Sequence, residues 1–176
     1  MNKRVLVIID GSNLYYKLKD LKMVKLVDYD YRGLVRSLSD KDAKLKIKYY
    51  IGAIRTDGSK KSLKMFGKQR RLLANLKKQK IDYSLGYLLK SDGKYHEKGV
   101  DVQMVVDMLK GAYKDKYDQT ILISSDSDLM PAIEAVQEVG REVVYVGFKH
   151  QPSYALLKTC KKSTLLEKKD LEEFSA

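Results

Sequence analysis

The run Val5-Leu6-Val7-Ile8-Ile9 contains no polar residue and stops at Asp10. A strand with one wet face alternates apolar and polar side chains, so five apolar residues in succession describe a strand covered on both faces. The rest of the chain supplies the covering layers. Strand patterns recur at Leu45–Ile54, Ile81–Leu89, Thr120–Ile123 and Glu142–Phe148. Helical patterns fall between them, at Tyr31–Leu38, Ser62–Gln79, Val100–Tyr113 and Leu129–Val139, the last closed by Gly140. Arg55-Thr56-Asp57-Gly58 and Ser91-Asp92-Gly93 mark turns. Tyr154–Phe174 reads as a C-terminal helix with a break near Ser163. This alternation implies right-handed crossovers and an α/β fold, a mainly parallel central sheet flanked by helices.

The length of 176 residues fits one domain, with a core over about 4–150 and a helical extension over 151–176. A core of that size needs neither disulfides nor structural zinc. Cys160 is the single cysteine, and the apolar run after Lys3 and Arg4 is too short for a secretion signal. A reducing, cytoplasmic setting is therefore expected. No segment approaches the roughly 18 apolar residues that a membrane-spanning helix needs. The formal net charge of +12 favours a polyanionic partner, although charge alone is a weak signal.

In a parallel α/β sheet the functional crevice lies outside the carboxyl ends of the strands. Asp10 ends the first strand, and Asp126 and Asp128 follow Thr120–Ile123 in Ser124-Ser125-Asp126-Ser127-Asp128. With both strands central, these carboxylates emerge at one edge. Asp101, in the first turn of Val100–Tyr113, stacks over Val105 and Met108 on the apolar side, whereas Gln103, Asp107, Lys110 and Lys114 mark the wet side. An acid so placed calls for a compensating cation. Each acid also has a plainer explanation: Asp126 or Ser127 capping a helix, Asp101 complementing a helix dipole, Asp10 opening a turn with Gly11. All of these holding together is the less economical reading, because capping does not require acids at corresponding strand ends. Clustered carboxylates repel one another, and hard oxygen ligands suit Mg2+ or Mn2+ rather than zinc.

Asp10-Gly11-Ser12-Asn13 after an apolar strand, then Lys98-Gly99-Val100-Asp101, then Ser124-Ser125-Asp126-Ser127-Asp128-Leu129, resembles the NYN-domain (LabA-like) branch of the PIN-like ribonucleases. The likeness runs from about Val5 to Phe148. It implies a PIN-like three-layer sandwich and a Mg2+- or Mn2+-dependent nuclease, with RNA favoured over DNA. By the same resemblance Asp10, Asp101, Asp126 and Asp128 are metal ligands and Asn13 is the family's amide beside the first strand. Ser12 and Ser125 belong to the supporting shell, and Asn13 and Ser12 are expected to position a carboxylate or a bound water. The family commonly has glycine where this chain has Ser125. The alternative function is a catalytically inactive PIN-like module that binds RNA or protein.

A path for nucleic acid is expected along Ser62–Gln79, where Lys61, Lys64, Lys68, Arg71 and Lys78 form a basic stripe opposite Leu63, Phe66 and Leu73. Lys98 is a further candidate for phosphate contact or for balancing the carboxylates. Of Tyr15 and Tyr16, one is a candidate to stack on a base, and at least one is expected in the core. His96 and His150 read as surface histidines and Cys160 as a small buried residue; together they form no zinc signature. Neither a Gly-x-Gly-x-x-Gly nor a Walker-type loop is present. A Toprim-like site would want a glutamate after the first strand, and a receiver-type site an acid pair there. The residues leave a homodimer open.

Overall fold

A computed structural model of the protein describes residues 2–23, 25–91 and 94–175, with side chains described outside 88–97. Its centre is a seven-stranded sheet in the order β4-β3-β2-β1-β5-β6-β7. The strands are β1 (Arg4–Asp10), β2 (Lys44–Gly52), β3 (Asp82–Ser91), β4 (Lys94–Lys98), β5 (Gln119–Ile123), β6 (Glu142–Phe148) and β7 (Lys162–Leu166). Six pair in parallel, and β4 alone runs antiparallel, hairpinned onto β3 at the edge. The helices are α1 (Gly11–Asp20), α2 (Tyr31–Ser37), α3 (Lys60–Lys78), α4 (Val100–Tyr113), α5 (Met130–Glu138), α6 (Tyr154–Thr159) and α7 (Lys168–Glu172).

Strand periodicity divides the core into two halves. Val5, Val7 and Ile9 of β1 join Ile47 and Tyr49 of β2 beneath α1, α2 and α3. Leu6 and Ile8 face the other way, with Tyr50 and Leu122, toward Met104 and Met108 of α4 and Ile133 and Val136 of α5. Two hydrophobic layers sandwich one sheet, which is why β1 needs five apolar residues in succession.

Several sequence expectations are corrected here. Tyr154–Phe174 is not one interrupted helix: residues 162–166 form β7, a parallel edge strand beside β6. Val146 and Phe148 of β6 leave an edge that Lys162–Leu166 can pair, and pairing overrides the weak helical pattern. The first helix, α1, begins directly after β1, where only a turn was expected. The β3–β4 hairpin was read only as a turn; of its Ser91-Asp92-Gly93 signal, Asp92 and Gly93 lie outside the described residues. Leu63 of α3 is exposed rather than packed, and the helix's buried positions are Gln69 and Leu76. Both Tyr15 and Tyr16 are exposed, edge to face at 5.5 Å, so neither is a core residue. Cys160 is buried and His150 exposed, as expected, whereas the side chain of His96 lies outside the described residues. Among the described residues no helix is long and apolar enough to cross a membrane.

Candidate active site

β1 and β5 are neighbours at the centre of the sheet, with Ile9 opposite Ile123. Asp10 and Ser124 therefore leave the sheet side by side. Both point to the α4 face, since each follows an apolar residue of the opposite face. The Ser124 hydroxyl donates to Asp10 Oδ2 at 2.8 Å, and the Asn13 backbone N–H donates to Oδ1 at 3.0 Å. Asp10 is thus the N-cap of α1 as well as a buried carboxylate. Gly11 makes this geometry reachable: a Cβ there would stand 2.7 Å from the Tyr50 carbonyl oxygen and inside the Tyr49 ring.

Asn13 does not position a carboxylate through its side chain. Its Oδ1 accepts the Ser125 backbone N–H at 3.1 Å, so it pins the loop after β5 to α1. Ser125 has no left-handed backbone, so serine stands without strain where the family commonly has glycine. Within that loop the Ser124 hydroxyl accepts from the Asp126 N–H at 3.1 Å. Asp126 in turn caps a short 3-10 turn, Ser127–Leu129, by accepting the Asp128 N–H at 2.9 Å.

Asp101 comes from the far side of the crevice. Gly99, with φ of 87°, turns the chain from β4 into α4 and leaves that helix start without a side-chain cap. The buried face of α4 passes through Val100, Met104 and Met108, and Asp101 itself is exposed, not inward as its spacing implied. In the first turn of α4 Val100 packs against Gly86 of β3, and Asp101, about 100° further round the helix, is left exposed. Asp107, expected on the wet side, is half-buried, paired with Lys48 and accepting from the Tyr50 hydroxyl at 2.8 Å.

Asp10 and Asp101 each feel neighbouring acids. Burial holds the Asp10 carboxyl above its ordinary range; its two hydrogen bonds oppose this, and the charges of Asp101 and Asp126 add to it. Partial desolvation raises Asp101 as well, reinforced by Asp126 and Asp128. Although the chain carries 35 Lys and Arg residues, none of the ion pairs among the described residues involves Asp10, Asp101, Asp126 or Asp128. An uncompensated set of oxygen donors suits a hard divalent cation. As the side chains stand, however, no three acidic, His or Cys groups among the described residues are grouped to hold one ion.

The plainer roles and the clustering coexist. Asp10 caps α1, Asp126 caps the 3-10 turn, and Asp101 lies in the first turn of α4. In a parallel sheet the segments that follow parallel strands start at the carboxyl edge, which brings the capping acids Asp10 and Asp126 to one edge, while Asp101 caps nothing.

Of the expected nucleic-acid contacts, Lys61, Lys64 and Lys68 are exposed on α3, and Arg71 pairs with Asp28 at 3.0 Å. Lys98 is exposed at the end of β4, three residues before Asp101. Ser12 is half-buried in the first turn of α1. Sequence reasoning missed Gln69. Buried inside α3, it donates to the Gly52 carbonyl at 2.7 Å and accepts the Ile54 N–H at 2.8 Å, which fixes the chain leaving β2. A polar residue at a buried helical position was the available signal.

A doubly wound parallel sandwich with acids at the carboxyl edge of its central strands defines a PIN-like α/β domain. The NYN domain family model matches residues 4–167, and the chain belongs to that family, within the PIN-like nuclease superfamily. NYN domains are generally nucleases that act on RNA. No curated protein matches the chain. Among solved structures it is similar to a protein of unknown function from Vibrio parahaemolyticus. The two share 20% identity over 97% of this chain and 96% of that one, with a TM-score of 0.72, a likeness of fold.

Proposed function

We propose that this protein is a divalent-metal-dependent ribonuclease that hydrolyses RNA phosphodiester bonds at the carboxyl edge of β1 and β5. The observation that carries this reading is four carboxylates at or beside the carboxyl edge of β1 and β5, none of them in an ion pair among the described residues. Family membership supports it.

Asp101, Asp126 and Asp128 are the side chains that would hold Mg2+ or Mn2+, with Asp10 behind them. When bound, such an ion activates water and stabilises charge on the phosphate. The chain's own residues preorganise the site. Ser124 and the Asn13 N–H orient the Asp10 carboxylate, and the Asn13 side chain holds the loop that presents Asp126 and Asp128.

The spacing of the acids favours a second reading, a module that binds RNA or protein without cutting, because no three acids are grouped to hold one ion. One experiment separates the two. Purified protein incubated with end-labelled RNA and manganese should shorten it, EDTA should stop this, and Asp126→Asn should abolish it with the fold intact. RNA retained in a shift assay with no shortening in manganese would favour the binding module.

A further inference from the structure

A basic groove lies away from the acids. On the α4 face of β2 the side chains of Lys44, Lys46 and Lys48 project in one row, because alternate residues of a strand share a face. With Arg4, Lys110 and Lys116 they line a concavity of about 220 Å3 that contains one acid, Asp107. Asp107 is already committed to Lys48 and Tyr50. Arg4 is committed to Asp115 and Asp118. Lys44, Lys46, Lys110 and Lys116 have no ion-pair partner among the described residues. Lys46 and Lys48 also line an adjoining concavity with Lys77 and one acid, Asp82, at the start of β3. Like charges gathered in a hollow repel one another unless an anion is shared between them.

We propose that this groove seats the phosphodiester backbone of a single-stranded RNA on the amino-terminal half of the sheet, apart from the acidic edge. This rests on the ribonuclease reading and adds a seat for the substrate's backbone beyond the acids. Successive lysines of the row are about 6.6 Å apart, two strand residues, close to the length of one extended nucleotide. The row runs from the amino-terminal edge at Lys44 to Lys48, beyond which Tyr50 is fully buried under α4. Four residues of strand span about 13 Å, room for about two nucleotides. The hollow is too small for a duplex, whose phosphates would meet only its rim.

The test is fluorescence anisotropy of a labelled 12-nucleotide oligouridine RNA, in EDTA so that nothing is cut. The triple variant Lys44→Glu/Lys46→Glu/Lys110→Glu should bind at least tenfold more weakly. The slope of log affinity against log salt should fall by about 2, from the loss of about three single-strand phosphate contacts. The neutral set Lys44→Gln/Lys46→Gln/Lys110→Gln, milder toward the fold, should show the same trend at smaller size. Lys19→Glu/Lys158→Glu/Lys161→Glu, three exposed lysines outside the groove and the α3 stripe, serves as comparison and should bind within about twofold of the parent. Duplex RNA of equal length should bind more weakly than the single strand. Unchanged affinity and salt slope in both groove variants, alongside manganese-dependent cleavage by the parent, overturns the groove and leaves the nuclease standing. Groove-dependent binding with no cleavage by the parent supports the groove as a single-strand seat and overturns the nuclease. A parent that binds no RNA overturns the groove as well.

Discussion

The side-chain oxygen of Asn13 accepts the backbone N–H of Ser125 at 3.1 Å, which joins the first turn of α1 to the loop after β5. Both segments carry acids of the candidate site, so this bond sets the distance between Asp10 and Asp126. Asn13→Ala would leave a half-buried N–H unsatisfied, at a cost of about 1–2 kcal/mol. Urea melts should show that loss. Metal-dependent cleavage should fall further than the stability change explains, because the loop is no longer held.

Removing one acid should stabilise the metal-free protein. Asp126 is repelled by Asp101 and Asp10, and asparagine is as good a cap as aspartate. Asp126→Asn should therefore melt at a higher temperature than the parent in EDTA, by roughly 0.5–1 kcal/mol of stability. In manganese the parent should gain stability and the variant much less. A variant that melts lower in EDTA would show that repulsion from the neighbouring acids does not govern Asp126.

Gln69 bridges the Gly52 carbonyl and the Ile54 N–H from a buried position on α3. Gln69→Leu keeps the volume and abandons both groups, a loss of about 2 kcal/mol. Gln69→Glu should be worse, since it places a carboxylate in the same buried position. Thermal melts of the two variants give the order directly.

Glu142 ties three strands at the amino-terminal edge, through Lys162 at 2.5 Å and Lys3 at 2.8 Å. Lys162 first and Lys3 second hold its carboxyl at about 2, below its ordinary 4.5. The folded state releases this proton more readily than the unfolded one. The stabilisation is therefore complete above about 4.5 and vanishes as the pH falls toward about 2. Glu142→Gln should cost about 1 kcal/mol at neutral pH, because both partners are solvent-screened. The gap between parent and variant should close across that acidic window in melts taken at successive pH values.

Expectation and structure part where local pattern competes with tertiary context. Val100–Tyr113 and Glu142–Phe148 form with the bounds their patterns imply, since burial on a defined face leaves a strong period. Residues 162–166 carry no such period, and only the free edge of β6 makes them a strand. Spacing alone put Asp101 inward, yet the buried face of α4 runs through Val100, Met104 and Met108 and leaves it exposed. Capping and clustering looked like rival accounts of the acids, but for Asp10 and Asp126 the parallel topology makes them one arrangement.

The sequence by itself determined the two-sided first strand, the alternation of strands and helices, and the acids that end β1 and follow β5. These depend on residue type and spacing, which are local. The tertiary structure alone decided that Asn13 grips Ser125, that Gln69 closes the chain after β2, and that Lys44, Lys46 and Lys48 share a hollow with Lys110. Those relations join residues distant in the chain, and no period along it records which partner a buried polar group or an unpaired charge will meet.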